Sequence, residues 1–307
     1  MSSSRILVIG GRGSLGSAIA AAAGKRALVT TRAPHVPDTL VFDARYDSPI
    51  ELINRSAGAL GAIVLAFGIS GIDACARDPA GTRYLNIDRV AAVAAAASER
   101  GVLPVLLSTD YVFDGSCEFW SEQDEPNPIS EYGRQRLAAE RAIASFDRPH
   151  LILRIGRAIA DHARRRDWLY RWCEAMQAGR TIRLATDQFL SPIAADDVGQ
   201  IVVSLIDANA RGLVHVAGPE RLTPPDLFAY LHRACTELGV KVTPLIELHR
   251  LTEMPELDQR PASTALSIAR LQRLLAPRFT PLSESARAVS AAFFLAPGRG
   301  PAIDNAI

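Results

Sequence analysis

Tyr132 and Arg136 are four residues apart in Glu131-Tyr132-Gly133-Arg134-Gln135-Arg136, a run of helical character. On a helix, positions i and i+4 share a face, so the guanidinium is expected to sit beside the phenol and depress its pKa from the ordinary value of about 10. A phenol held this way can give its proton to an alkoxide developing at a carbonyl carbon. Thr109, in Ser108-Thr109-Asp110-Tyr111, closes a strand-like run and can offer its hydroxyl to the same oxygen.

A second constellation lies near the start of the chain. Gly10-Gly11-Arg12-Gly13-Ser14-Leu15-Gly16 stands between a β-branched run and an alanine-rich one, with glycines at 10, 13 and 16. Small residues let the backbone turn and approach a pyrophosphate, which the free amides of a helix start favour. The next strand ends Val29-Thr30-Thr31-Arg32, with no acid to take a ribose 2′-hydroxyl. Arg12 and Arg32 can instead converge on a 2′-phosphate, with Thr31 adding a hydroxyl, which points to NADP(H). His35, His150, His162, His215, His232 and His249 show no metal-ligand spacing, and Cys75, Cys117, Cys173 and Cys235 form no CxxC pair. No metal site is expected, and the cysteines read as buried or incidental thiols.

These groups need a scaffold of alternating strands and helices. Strands are expected at Arg5–Ile9, Arg26–Thr31, Ala62–Ala66, Leu103–Leu107 and His150–Arg154. Between them lie helices over Leu15–Ala23, Pro49–Ala57, Arg83–Glu99 and from Glu131. Such alternation predicts an α/β fold with a doubly wound parallel sheet, a Rossmann fold, over residues 1–155. Residues 156–296 read mainly as a smaller substrate-binding lobe, partly interleaved with the sheet, with helices at Asp167–Ala178, Ala195–Ile206 and Pro225–Leu238 and a strand at Leu213–Val216. Residues 297–307 read as a loose tail.

At 307 residues and 48% apolar, the chain has enough material for a sizeable core. Its net charge of +1 gives no global field for nucleic acid or an anionic membrane, so any anion must be held locally. Lysine occurs only at Lys25 and Lys241, leaving arginine as nearly the whole basic complement. No apolar run is long enough to span a membrane and no signal-peptide core follows Met1, so the cytoplasm is the expected location. The partners this leaves are a small-molecule substrate and, in a homodimer, a second copy of the chain.

Taken together, the chain resembles the extended short-chain dehydrogenases, and within them the dTDP-4-dehydrorhamnose reductase group. Beyond the glycine loop, the resemblance rests on Ser70-Gly71-Ile72-Asp73, Leu85-Asn86-Ile87-Asp88 and Ser108 to Gly115. Glu122 and Asp124 precede the Tyr132 helix with the family's spacing. Farther on stand Asp187-Gln188, Pro192, Asp196-Asp197, His215-Val216-Ala217-Gly218 and Arg260-Pro261-Ala262-Ser263. The resemblance implies NADPH-dependent reduction of the 4-keto group of a nucleotide-linked 6-deoxyhexose. In that scheme Thr109 polarises the ketone and Tyr132 supplies the proton. Asp110 and Tyr111 line the sugar pocket, Arg260 meets the nucleotide diphosphate, and Asp43 is the adenine-side acid. The nicotinamide lies between Ala66-Phe67-Gly68 and the Tyr132 helix.

Three segments depart from the family pattern. Arg136 replaces a lysine that binds the nicotinamide ribose and tunes the phenol, and a planar guanidinium does not fill an ammonium's place equivalently. Gly156 and Arg157 replace a Ser-Trp pair beside the sugar, which suggests a remodelled pocket. Leu65-Ala66-Phe67-Gly68 is less polar than the usual stretch by the nicotinamide. These departures admit two other classes: a reductase of the same fold acting on a non-sugar carbonyl, and a non-catalytic NADP-binding subunit resembling the regulatory beta subunit of methionine adenosyltransferase.

Overall fold

Short apolar runs pair as parallel strands, and the segments between them coil back over both faces of the sheet. The computed structural model describes residues 4–56, 60–160 and 167–295. Its first half runs β1 (Arg5–Ile9), α1 (Ser14–Ala23), β2 (Ala27–Thr31), β3 (Thr39–Val41), α2 (Pro49–Arg55), β4 (Leu60–Leu65), α3 (Ile72–Arg77), α4 (Pro79–Arg83), α5 (Arg89–Glu99), β5 (Leu103–Thr109), α6 (Glu131–Ala144) and β6 (Leu151–Ile155). The second half adds β7 (Ala158–Ile159), α7 (Trp168–Gln177), β8 (Thr181–Ala185), β9 (Ile193–Ala194), α8 (Ala195–Asp207), β10 (Gly212–Val216), α9 (Pro224–Glu237), β11 (Leu245–His249), α10 (Ala269–Leu274) and α11 (Leu282–Phe294).

Seven strands form one parallel sheet in the order β10-β6-β5-β4-β1-β2-β3. This is the doubly wound Rossmann arrangement, and its strand order reverses between β1 and β4, where such sheets open a ligand crevice at the carboxyl ends. Alternate residues feed two apolar layers. Ile6, Val8, Val64, Val105 and Leu107 face Ile19 of α1 and Val198 and Val202 of α8. Leu7, Ile9, Ile63, Leu65 and Leu106 face Leu52, Val90, Val93 and Ile143. Helices α1 and α8 pack closely, for a Cβ on Gly199 would stand 2.5 Å from the Ala18 carbonyl oxygen.

A division at residue 155 does not follow the sheet, which takes β10 from beyond it, with α8 covering α1. The remaining later elements hold their own core, where Leu169, Leu184, Phe228, Leu231 and Ala286 meet. The two-stranded β8–β11 ribbon, β3, α10 and α11 were not expected from the sequence; β3 has only three residues and β11 is mostly exposed, so neither carries a strong apolar run. The single helix expected over Arg83–Glu99 is instead α4, a widened π turn over Tyr84–Asp88, and α5. Cys173 and Cys235, remote in sequence, are neighbours across α7 and α9, both buried and both free thiols. The tail over 297–307 lies outside the described residues.

Under the β10 edge, Arg154 and Glu140 form a buried ion pair at 2.8 Å, and the Ser108 hydroxyl also donates to Glu140. Arg154 stands over the ring of Phe113, which stacks on Trp120 and takes His215 edge-on. His215 Nδ1 lies 3.2 Å from the Trp120 carbonyl. Burial, reinforced by the Arg154 charge, lowers the His215 pKa to about 3. The unfolded chain therefore binds a proton here that the folded chain refuses, and stability falls as pH drops from about 6.5 toward 3, with a slope of up to about 1.4 kcal/mol per pH unit. Urea titrations from pH 7 to 4 should show this loss, and His215→Asn should flatten it; an unchanged slope in the variant contradicts the assignment.

Candidate active site

The turn after β1 is built for close approach. Gly10 has φ +83°, and the Gly13 amide donates to its carbonyl at 2.9 Å. A Cβ on Gly10 would strike the Ala66 carbonyl, and one on Gly16 would strike the Gly10 carbonyl. Gly13, the N-cap of α1, supplies no side-chain cap, so the first amides of the helix are left for another acceptor. A cleft of about 530 Å³ opens at this point. Arg12, Gly13, Ser14, Leu15 and Gly16 line one wall, Leu65 to Ser70 the floor, and Leu107, Ser108, Tyr132 and Arg136 the far wall; Ala158, Ala160 and Asp167 complete it. The anion-seeking loop and the glycine cradle fit a dinucleotide.

Thr31, Arg32 and Asp43 stand outside this lining, at the β2–β3 end. Thr31 is buried and its hydroxyl accepts the Ala33 amide at 3.1 Å. Asp43 pairs with Arg45 at 2.6 Å, and that hydrogen bond, with a smaller pull from Arg32, lowers its carboxyl pKa to about 2. Arg32 itself is exposed.

The floor is fixed by Asn86, a residue the sequence marks only as part of a motif. Its side chain is fully buried; Oδ1 accepts the Ile69 amide at 2.7 Å, and Nδ2 donates to the Ile69 carbonyl at 3.0 Å and to Gln135 Oε1 at 2.9 Å. Gln135 in turn donates to the Pro79 carbonyl and the Thr82 hydroxyl, each at 3.0 Å. These bonds account for the π turn, which carries Asn86 inward, and π turns of this kind recur at functional sites. Gly68 (φ +134°) passes so close that a Cβ there would lie 2.7 Å from Asn86 Oδ1 and 3.4 Å from Arg136 Nη1.

On α6, Ser130 caps the helix by accepting the Gly133 amide at 3.1 Å, and Tyr132 and Arg136 share the cleft face as the spacing predicts. The expected depression of the phenol does not follow. Burial pushes the Tyr132 pKa up; Arg136 pulls it down, but by less. Arg136 is buried and donates through Nη2 to the Leu107 carbonyl, while its Nε has no hydrogen-bond partner among the described residues. Thr109 faces the same phenol and favours its ionised form. Asp110, next to Thr109, is buried, and burial raises its pKa against the pull of Arg157.

Tyr111 turns the other way, edge-on to Tyr132 with ring centroids 6.4 Å apart, and lines an adjoining recess of about 320 Å³. Arg260 is also there, but its guanidinium is already paired with Asp73 at 2.8 Å and Glu256 at 3.5 Å. Trp168, Arg171 and Trp172 of α7, a helix rich in Trp and Arg, join the wall together with Arg180 beyond its end. Arg157 lies over the Trp168 ring at 4.2 Å. Gly156 is explained by packing, since a Cβ there would stand 2.6 Å from the Ser191 carbonyl oxygen. Among the described residues no cluster of His, Cys, Asp and Glu could hold a metal ion.

The balance at Tyr132 can be read directly. Arg136→Met removes the charge that opposes burial, so the phenol should ionise at still higher pH. Ultraviolet difference titration, with Tyr132→Phe as blank, measures this; a shift to lower pH contradicts the arrangement.

A family profile described as the RmlD substrate binding domain matches residues 4–293. A probable low-salt glycan biosynthesis reductase of Haloferax volcanii is 31% identical over 226 residues, 72% of this chain and 74% of its own. A dTDP-4-dehydrorhamnose reductase of Sinorhizobium fredii is 28% identical over 256 residues, 80% of this chain and 84% of its own. Among solved structures, a dTDP-4-dehydrorhamnose reductase of Bacillus anthracis in complex with NADP superposes with a TM-score of 0.79 at 17% identity, over 92% of this chain and 97% of that one. With the match running from β1 into α11, the chain belongs to the RmlD substrate binding domain family.

Proposed function

We propose that the protein is an NADPH-dependent oxidoreductase that reduces the 4-keto group of a nucleotide-linked deoxysugar. One observation carries this reading: Tyr132 and Arg136 face Gly68 across a cleft headed by the glycine loop, with Thr109 behind the phenol. NADPH supplies the hydride. The amides at the start of α1 and Arg12 hold its phosphates, and Ala66, Phe67 and Gly68 form the floor on which the nicotinamide lies. Arg136 stabilises the ionised phenol at short range, Tyr132 gives its proton to the carbonyl oxygen, and Thr109 positions that oxygen. Burial by itself makes the phenol a weaker acid, and the Arg136 charge works against that by favouring the phenolate. The recess beside Tyr111 takes the sugar nucleotide, with Asp110, Tyr111 and Arg157 toward the sugar and Arg260 toward the diphosphate.

In this reading the protein works in the cytoplasm. It also leaves room for a homodimer, which sedimentation velocity resolves. The bond from Arg136 to the Leu107 carbonyl favours one second reading, a binding subunit that holds NADP(H) without turnover. NADPH oxidation measured with dTDP-4-dehydrorhamnose and with simple ketones separates the classes. Turnover of the sugar nucleotide supports the proposal, turnover of ketones alone points to another carbonyl substrate, and tight NADPH binding without turnover selects the binding subunit.

Two variants sharpen the test. Arg32→Ala should weaken NADPH by about 1.5–3 kcal/mol, the scale of a charge-assisted hydrogen bond, and leave NADH nearly unchanged by calorimetry. Equal affinity of wild type for both nucleotides contradicts the cofactor assignment. Tyr132→Phe should lower kcat by about 10²- to 10⁴-fold while NADPH affinity stays near wild type. Turnover at the wild-type rate removes Tyr132 as the proton donor.

A further inference from the structure

The Thr109 hydroxyl has one proton, and its surroundings decide where that proton goes. Thr109 Oγ1 lies 3.0 Å from Asp110 Oδ1 and accepts the Tyr111 amide at 3.3 Å. An ionised carboxylate has no proton to give, so beside one Thr109 must donate to Asp110 and can offer a substrate oxygen only lone pairs. The proposed reduction needs the reverse. Thr109 and Asp110 are 7% and 5% exposed, so water is not at hand to settle the conflict.

The groups facing Asp110 come from several elements: Arg157 after β6, Tyr132 on α6 with Arg136 behind it, Tyr111 beside it, and Thr264 from the loop before α10. Arg157 and the hydroxyls favour the anion, yet burial outweighs them. An anion here would also oppose ionisation of Tyr132, whose pKa the Asp110 charge raises.

We propose that Asp110 is a positioning residue: as a neutral carboxylic acid it donates its own proton to Thr109 Oγ1 and thereby turns the Thr109 proton toward the reacting carbonyl oxygen. Its catalytic consequence rests on the reductase reading, whereas the direction of the hydrogen bond does not. In the step, hydride adds to the carbonyl carbon and the π pair moves to oxygen. Tyr132 transfers its proton to that oxygen and becomes a phenolate, to be reprotonated from solvent. Thr109 and Asp110 keep their protons throughout and contribute only hydrogen bonds.

The test uses the full chain with NADPH bound and compares wild type with Asp110→Asn and Asp110→Ala. The Asn amide donates to Thr109 at every pH, so Asp110→Asn should keep several-fold more kcat on dTDP-4-dehydrorhamnose than Asp110→Ala, and the share of any alkaline decline due to Asp110 ionisation should disappear while that of Tyr132 remains. Asp110→Ala removes the donor and should lose about five- to tenfold in kcat, the worth of one hydrogen bond, with KM less affected. Equal impairment of both variants, or a pH profile of Asp110→Asn identical to that of wild type, overturns the proposal. Infrared spectra of protein carrying ¹³C-labelled aspartate, taken without substrate, give a readout independent of turnover. A protonated carboxyl C=O band at neutral pH that vanishes in Asp110→Asn supports the hydrogen-bond direction, and its absence overturns the proposal. Should that band be present while no variant turns over, the reductase reading fails and the neutral Asp110 stands.

Discussion

The carboxamide of Asn86 holds together the half of the cleft where the proposed chemistry takes place. Backbone leaving the carboxyl end of β4 has lost its strand partners, and the half-buried amide and carbonyl of Ile69 need others. Asn86 pairs both, and its second amide proton goes to Gln135 on α6. One side chain thus registers the floor of the cleft against the helix that carries Tyr132 and Arg136. A regular helix through Tyr84–Asp88 would have kept the usual turn, whereas the widened turn found there accompanies an inward Asn86. Local helical regularity has yielded to the pairing of the Ile69 backbone.

The charges of the site obey the same economy of burial. Arg136, Arg154 and Glu140 are all nearly solvent-free, but they are not met alike. Arg154 and Glu140 neutralise one another beneath the sheet edge, with no direct part in the cleft. Among the described residues Arg136 is paired with no acid; it donates to a backbone carbonyl beside the phenol, so its charge stays directed into the cleft. Low local dielectric makes such an uncompensated charge felt at short range. It also explains why the phenol is raised rather than depressed, since burial penalises the phenolate more than one guanidinium relieves it.

The strand–turn–helix succession, the glycine loop and the shared face of Tyr132 and Arg136 were legible because each depends on local rules: period, small residues at a tight turn, and helical spacing. The direction of the Tyr132 shift was not, because spacing reports the neighbouring charge and says nothing of desolvation. Arg260 shows a similar limit. Its motif marks it as a pocket residue, but its pairing with Asp73 joins segments far apart in the chain. The role of Asn86 depends likewise on a contact with Ile69 that no periodicity encodes. Cys173 and Cys235 meet only because α7 and α9 pack in the later lobe.

The position of β10 as the outer strand beside β6 bears on how the chain is made. Its residues emerge from the ribosome well after the first six sheet strands, and until then β6 presents an unpaired apolar edge, Leu151 to Ile155, while α1 lacks its cover from α8. An N-terminal piece ending near residue 155 therefore has neither boundary of its core closed, and its exposed edge invites pairing with other chains. The contacts that finish the nucleotide-binding half have high sequence separation, which slows closure. Biosynthesis of this protein thus contains an interval of vulnerability, which ends when the strand following α8 docks.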